Sequence, residues 1–374
     1  MQENTTYKTW IELDSKALQH NVGLFRSLLA PSTKLYAVVK SNAYGHGLVD
    51  FSKLADQFGV DGFCVDSVPE ALKLRQADIK KPILVLGPTL SGEFLDQAAH
   101  HKITVTVSNF EALKNITQRK KIPEFHIKVD TGMHRQGFYL AELNNVKSKI
   151  ANIKSKVTGV YTHFAAAKDI KNQAFTKKQF EEFLKAITVL ENAGLKNLQK
   201  HCSATGATLL DKKYHLDAVR VGAGLYGIYP SEELEKQLKN KIKLQPVLSW
   251  HSLISEIKSL KKGDYVGYDL TEKITKPTTM VIVPIGYWHG FDRGLSKIGE
   301  VLISGQHCKV LGRVSMDLIA VDVTGVNCKI GDTATLIGSQ ENNSISAAAM
   351  GAKIGTSHYE IVTRINPLIQ KVIK

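Results

Sequence analysis

Short runs of apolar, β-prone residues recur along the first part of the chain, at Leu35–Lys40, Gly62–Ser67, Ile83–Pro88, Ile103–Ser108, Phe125–Asp130, Gly159–Phe164, Leu198–Ala204 and Ala218–Gly224. Between several of them lie stretches whose apolar positions recur every three or four residues, at Leu48–Phe58, Val68–Gln76, Asn109–Ile116 and Thr176–Ala193. That spacing puts the apolar side chains on one face of a helix. Strand, helix, strand, repeated over eight runs, predicts parallel strands closing into a (β/α)8 barrel. The rival, an open doubly wound sheet, lacks its Gly-x-Gly-x-x-Gly turn after the first strand.

The pattern changes after Tyr229-Pro230. Val247–Ser255, Thr279–Ile285, Glu300–Ile303, Lys309–Leu311, Leu318–Val323 and Ala334–Ile337 are short, β-rich and broken by turn signals such as Lys262-Gly-Asp264, and helical spacing returns only at Ser344–Ile354. The fold class expected is therefore α/β plus β: a barrel over residues 1–240 and a mostly-β domain over residues 241–374. The segment Lys8–Leu13 reads as a strand that fits either domain.

Composition narrows the class. The chain of 374 residues is 43% apolar and 22% charged, ordinary globular values, with enough length for two cores. No apolar run reaches the roughly 18 residues of a membrane span, and the polar start MQENTTYKTWIELD has no secretory pattern, so a cytoplasmic location is expected. Cys64, Cys202, Cys308 and Cys328 are far apart, and no His-Glu-x-x-His occurs, so neither a disulfide framework nor a metal site is expected. The net charge of +14 comes from lysines spread through helix-like segments among Glu and Asn, which reads as solvated helix faces rather than a nucleic-acid surface.

Function in a barrel sits at the C-terminal ends of the strands. Those ends carry Lys40 and Tyr44, Asp66, Ser108, Lys128 and Arg135, His163, Ser203 and Thr205, and Arg220. A lysine desolvated at a barrel mouth has a neutral amine that condenses with a carbonyl; taken by itself, Lys40 reads sooner as a solvent-facing strand end. Tyr44 and the Gly45-His-Gly47 turn add a hydroxyl and close backbone approach. Val221-Gly-Ala-Gly224 follows Arg220 where barrels commonly hold phosphate, although glycines there also ease a barrel corner. Alone, His163 reads as a core histidine and Arg135, beside Asp130, as half of a structural ion pair. Together, a reactive amine, hydroxyls, phosphate-binding glycines, an imidazole and arginines fit pyridoxal phosphate held as a Schiff base.

These residues resemble the alanine racemase family, essentially end to end. The likeness rests on Ala37-Val-Val-Lys-Ser-Asn-Ala-Tyr-Gly-His-Gly47, Lys128-Val-Asp-Thr-Gly-Met-His-Arg135, Thr162-His-Phe-Ala165, Val219-Arg-Val-Gly222, Val266-Gly-Tyr268, Ile285-Gly-Tyr287, Gly312-Arg-Val-Ser-Met-Asp317 and Tyr359-Glu-Ile361. It implies a pyridoxal-phosphate-dependent homodimer that interconverts L- and D-alanine and supplies D-alanine for peptidoglycan. Lys40 would anchor the cofactor and act as one base, with Tyr268 of the partner subunit as the other. Tyr44, Thr205, Gly222, Ala223 and Tyr359 would hold the phosphate. His163 would lie against the pyridine ring, and Arg220 would face its nitrogen. Arg135 would meet the cofactor's phenolic oxygen and, with the Met316 backbone, the substrate carboxylate. Tyr287 would narrow the entrance with Tyr268, and Lys128 would be a candidate for carbamylation.

The chain departs from the family pattern at several places. Thr205 ends a His201-Cys-Ser-Ala-Thr205 stretch where Asn-Ser is common, Asp269 follows Tyr268 in place of a frequent glycine, and Tyr287-Trp-His-Gly290 replaces Tyr-Ala-Asp-Gly. Lys168 falls near an expected acidic site, Ser315 replaces a frequent cysteine, and His358 precedes Tyr359. The departures bear on substrate choice more than on reaction type, which leaves a serine or broad-specificity racemase as the alternative. A non-catalytic pyridoxal-phosphate-carrying barrel would lack the β domain and Tyr268.

Overall fold

All eight apolar runs of the N-terminal part become parallel strands. In the computed structural model, which describes residues 7–171 and 173–374, a first strand β1 (Thr9–Leu13) is followed by β2 (Lys34–Val38), β3 (Gly62–Val65), β4 (Ile83–Pro88), β5 (Thr104–Val107), β6 (Phe125–Lys128), β7 (Val157–Tyr161), β8 (Gln199–His201) and β9 (Ala218–Val221). Strands β2 to β9 pair in the order β8-β7-β6-β5-β4-β3-β2-β9. A parallel bridge between Ala204 and Arg220 joins the two ends, and the Arg220 N–H donates to the Ser203 carbonyl at 3.0 Å, so the barrel closes. The strands β3, β6 and β9 are buried at every position, as parallel strands covered on both faces must be.

The expected helices appear at Leu48–Gln57, Val68–Gln76, Phe110–Thr117 and Gln173–Asn192. The second shows why its start is legible: the Ser67 hydroxyl accepts the Glu70 N–H, and Pro69 occupies the first turn, where its missing donor costs nothing. Residues 16–43 and 48–246 form one compact unit; the segment ending at Ser15, together with residues 44–47 and 247–374, forms the other.

The second unit is mostly β. It contains β10 (Leu248–Leu253), β11 (Glu256–Leu260), β12 (Tyr265–Val266), β13 (Glu272–Lys273), β14 (Thr278–Val283), β15 (Glu300–Ile303), β16 (Gln306–Leu311), β17 (Ile319–Asp322), β18 (Thr333–Gln340), β19 (Asn343–Ile345) and β20 (Gln370–Ile373). The main sheet runs β11-β14-β17-β16-β15-β18-β10-β1-β20, with β19 on β18. β1 is thus a strand of this unit, antiparallel to β10 and parallel to β20. Trp10, Ile11 and Leu13 of β1 are buried, and the Trp250 indole N–H donates to the Thr9 hydroxyl at 3.1 Å. Val266, Ile274, Met280 and Leu311 form a separate apolar cluster near the short β12–β13 pair.

Candidate active site

In the barrel unit, Lys40 stands two residues beyond β2. Its side chain is 38% exposed, with Nζ 3.9 Å from Asp66 beyond the end of β3, so the amine is less enclosed than a desolvated lysine at a barrel mouth would be. The chain around it is clamped. Glu70 accepts the Ser41 N–H at one carboxylate oxygen (2.7 Å) and the Asp66 N–H at the other (2.8 Å). Ser41, Asn42, Ala43 and Tyr44 all have φ between 51° and 56°. Four consecutive left-handed residues without a glycine cost about 1–2 kcal/mol each, which makes this a strained segment directly after Lys40.

Below the rim lies a buried cation with neutral neighbours. Arg220, on β9, is 3% exposed. Its guanidinium donates to His201 Nδ1 at 2.5 Å and to the Thr162 carbonyl at 2.8 Å, and lies 5.0 Å from the Tyr161 ring centre. His201 Nε2 is 2.8 Å from His126 Nδ1. Since Arg220 has only donors, His201 Nδ1 carries no proton, and Nε2 donates onward to His126. Burial first, and Arg220 second, hold His201 well below the usual histidine value and push His126 down to about 3. The same two causes, with Arg135 and Lys128 adding to them, bring His163 to about 3. These rings stay neutral, and the positive charge stays on Arg220.

Lys128 ends β6, buried, and donates to Gln136 at 3.0 Å. Burial, then Arg135 and Arg220, lowers its amine to about 8. The expected ion pair between Asp130 and Arg135 takes another form. One Asp130 oxygen accepts the N–H groups of Gly132, Met133 and His134 (2.9–3.0 Å), and the other accepts the Arg135 backbone N–H at 3.1 Å. Asp130 therefore shapes the loop, and the Arg135 side chain is exposed. At the far rim, the Thr205 hydroxyl accepts the N–H groups of Gly222 and Gly224, each at 3.3 Å. Gly224 has no space for a side chain, since a Cβ would lie 2.3 Å from Phe25. Ala223 sits between these two glycines, buried.

The second unit carries the remaining expected residues. Tyr44 and Tyr359 meet edge to face, with ring centres 6.0 Å apart, and burial plus Tyr44 raises the Tyr359 phenol. Gly45, at φ 83°, lies where a Cβ would be 1.9 Å from the Val362 carbonyl oxygen. Tyr268 is 68% exposed. Asp269 after it has φ 60°, the conformation a glycine there would adopt freely, and is held by Arg313 at 3.0 Å. Tyr287 and Met316 are also exposed, and their segments are joined: the Tyr287 N–H donates to Ser315 and the Trp288 N–H to Met316, both at 3.0 Å.

Sequence reading missed the partners rather than the principals. Glu70 carries no mark of its role in the sequence, and His201 stands out only as part of a motif. A histidine inside the apolar strand Phe-His-Ile-Lys was the one signal available for His126.

The donor set suits a phosphorylated pyridine aldehyde. Lys40 offers an amine, Arg220 a permanent buried cation, His163 a neutral aromatic ring, and Thr205 with Gly222 and Ala223 a small polar turn.

Comparison with known proteins finds relatives over nearly the whole chain. Residues 13–230 match the model of the alanine racemase N-terminal domain, and residues 247–373 that of the C-terminal domain. The chain is 37% identical to an alanine racemase of Methanococcus maripaludis, covering 98% of this chain and 99% of that protein. It is 34% identical to one of Leptospira interrogans over 98% and 96%. The crystal structure of alanine racemase from Bacillus anthracis with bound L-Ala-P superposes with a TM-score of 0.93 at 33% identity, covering 99% of this chain and 96% of that one.

Proposed function

The chain belongs to the alanine racemase family of amino-acid racemases, and from that premise we propose that it interconverts L- and D-alanine with pyridoxal phosphate, as a homodimer with shared sites. The observation that carries this reading is Arg220, a buried and permanently charged donor flanked by neutral histidines. An acidic group at that place would protonate a pyridine nitrogen; an arginine leaves it largely unprotonated.

Bound there, pyridoxal phosphate would supply the electron sink for the pair released when a proton leaves the substrate Cα. Lys40 would hold it covalently through Nζ. Tyr44, Thr205, Gly222, Ala223 and Tyr359 would hold its phosphate, and His163 would cover its ring. Arg135 and the Met316 backbone would fix the substrate carboxylate, while Tyr287 and Tyr268 narrow the entrance. Lys40 Nζ would take or return the proton on one face of Cα, and the phenol of Tyr268 of the partner subunit would do so on the other. The exposure of Tyr268 and Met316 within one chain supports a second copy covering them. A role in supplying D-alanine for cell-wall peptidoglycan follows from the same reading.

Borohydride reduction of the loaded enzyme followed by peptide mass mapping tests it. The pyridoxyl adduct is expected on Lys40, and an adduct on another lysine overturns the assignment. Tyr268→Phe is expected to lose solvent-deuterium exchange mainly from L-alanine; equal loss from both enantiomers would sink the two-base scheme. The replacement of Tyr-Ala-Asp-Gly by Tyr287-Trp-His-Gly290 favours, as a second reading, a broader substrate range. Faster deuterium exchange at Cα of serine than of alanine would establish it.

A further inference from the structure

The turn Gly286–Gly290 is fastened to the Ser315–Met316 segment by its backbone. A Cβ on Gly286 would lie 2.3 Å from the Ser315 carbonyl oxygen and 2.4 Å from that of Met316. Tyr287 and Trp288 donate to these same two carbonyls, and the His289 and Phe291 N–H groups both return to Gly286 O, at 3.0 and 3.2 Å. The Gly286 N–H itself donates to the side chain of His289, at Nδ1, over 3.2 Å. Only a ring nitrogen without a proton can accept that bond, so neutral His289 keeps its proton on Nε2. An alternative partner stands close by: Asp317 Oδ1 is 3.9 Å from the same Nδ1. The imidazole is 6% exposed, yet it lines an open cavity of about 450 Å³ together with Lys8, Trp288, Asp317 and Asn366. Solvent protons therefore have a route to it.

We propose that His289 is a positioning residue whose protonation state controls how firmly the Tyr287 and Met316 segments are held, and through them the enzyme's affinity for its substrate. The inference rests on the reading above, in which Tyr287 and Met316 meet the substrate. A proton on Nδ1 turns an acceptor into a donor that faces the Gly286 N–H. The ring then turns towards Asp317, and a buried N–H loses its partner, at the cost of a hydrogen bond. The charged groups facing His289 are Lys8, from the chain just before β1, and Asp317. Tyr7 lines the same cavity, and Asp292, just past the turn, is engaged by Arg364 at 2.7 Å. Burial first, then Lys8, outweighs Asp317 and holds the ring below the ordinary value of 6.5. The bond is thus intact at neutral pH and is lost on the acid side of 6.5. An aspartate at this position, the more frequent family residue, stays an acceptor throughout that range, so the device belongs to the histidine.

Steady-state racemisation of L-alanine by the holoenzyme, between pH 5.5 and 8, tests this with two variants. His289→Asn places an oxygen near the Nδ1 position and cannot titrate; His289→Ala has no acceptor. Relative to His289→Asn at each pH, wild-type KM is expected to rise progressively as pH falls from 7.5 to 5.5, towards the roughly tenfold limit equivalent to one hydrogen bond, while kcat moves in parallel for the two. His289→Ala is expected to show the raised KM at every pH. Identical KM profiles for wild type and His289→Asn overturn the proposal. Trp288 gives a readout that needs no turnover, because it is 57% exposed while Trp10 and Trp250 are buried. Its fluorescence, isolated by difference against Trp288→Phe, should shift with pH in wild type and not in His289→Asn; a signal that is flat in wild type overturns the proposal whatever the substrate. If the racemase reading is the one that fails, alanine is not turned over at any pH, while the fluorescence shift persists.

Discussion

Arg220 and His201 meet at 2.5 Å with only one arrangement of protons available: the guanidinium donates and Nδ1 accepts. That contact sets the tautomer of His201, and through the 2.8 Å contact to His126 it sets the next one too. The barrel floor is a relay of fixed donors ending in a fixed charge.

Removing the acceptor should therefore cost more than removing the ring's bulk. His201→Leu leaves an N–H of a buried guanidinium unpaired and is expected to destabilise the protein by about 2–4 kcal/mol. In a thermal melt that is a fall of roughly 4–16 °C for a domain of this size. His201→Asn, which keeps an acceptor near Nδ1, should recover at least half of the loss. Equal melting temperatures for the two variants would contradict the relay.

The same histidines make the fold sensitive to acid. Both native values lie below the ordinary 6.5, His126 at about 3. Below pH 6.5 the unfolded chain binds protons at these positions and the native state does not, so stability rises with pH and is lost as pH falls from 6.5 towards 3. Each contributes a slope of about 1.4 kcal/mol per pH unit once well below 6.5. Urea midpoints measured from pH 7 to 4.5 should drop steeply in wild type and less steeply in His126→Asn.

Thr205 organises the glycines of the rim through two hydrogen bonds of 3.3 Å. Thr205→Val keeps the shape and deletes the acceptor, and is expected to weaken pyridoxal phosphate binding about five- to thirtyfold. Unphosphorylated pyridoxal should be affected much less, and Thr205→Ser should bind as wild type does. Equilibrium dialysis of both ligands separates a phosphate effect from a general one.

Lys128, with its amine lowered to about 8, is partly neutral at physiological pH. A neutral amine adds to CO2, forming an N–C bond and releasing a proton, and the carbamate would sit beside Arg135 as an anion. Occupancy should rise with bicarbonate and with pH through about 8. Carbon-13 NMR with labelled bicarbonate should show a carbamate signal that is absent in Lys128→Ala.

The barrel was legible because strands buried on both faces write themselves as uninterrupted apolar runs. Glu300–Ile303 and the helix Val68–Gln76 were read with the bounds the structure has. The strand β11 was not seen, because Glu256, Ile257, Lys258 and Ser259 are all exposed on it and carry no alternating signature. Nor was the left-handed run Ser41–Tyr44, since none of its residues is a glycine. It is imposed by Glu70, by the Asn42 bond to Leu48, and by the close seat of Gly45 against Val362. At the site, side chains with chemistry stood out, while the partners that tune them were ordinary residues whose meaning is tertiary.

The placement of β1 between β10 and β20 has a consequence for how the protein is made. Thr9–Leu13 is made long before either of its neighbours, Leu248–Leu253 and Gln370–Ile373. At about 5–20 residues per second, this apolar strand waits tens of seconds with both edges open, while the barrel that follows it is already complete. During synthesis it is the segment most in need of a chaperone, and its last partner to arrive is the stretch 370–374, where the Lys374 backbone bonds to Leu13 and Ser15.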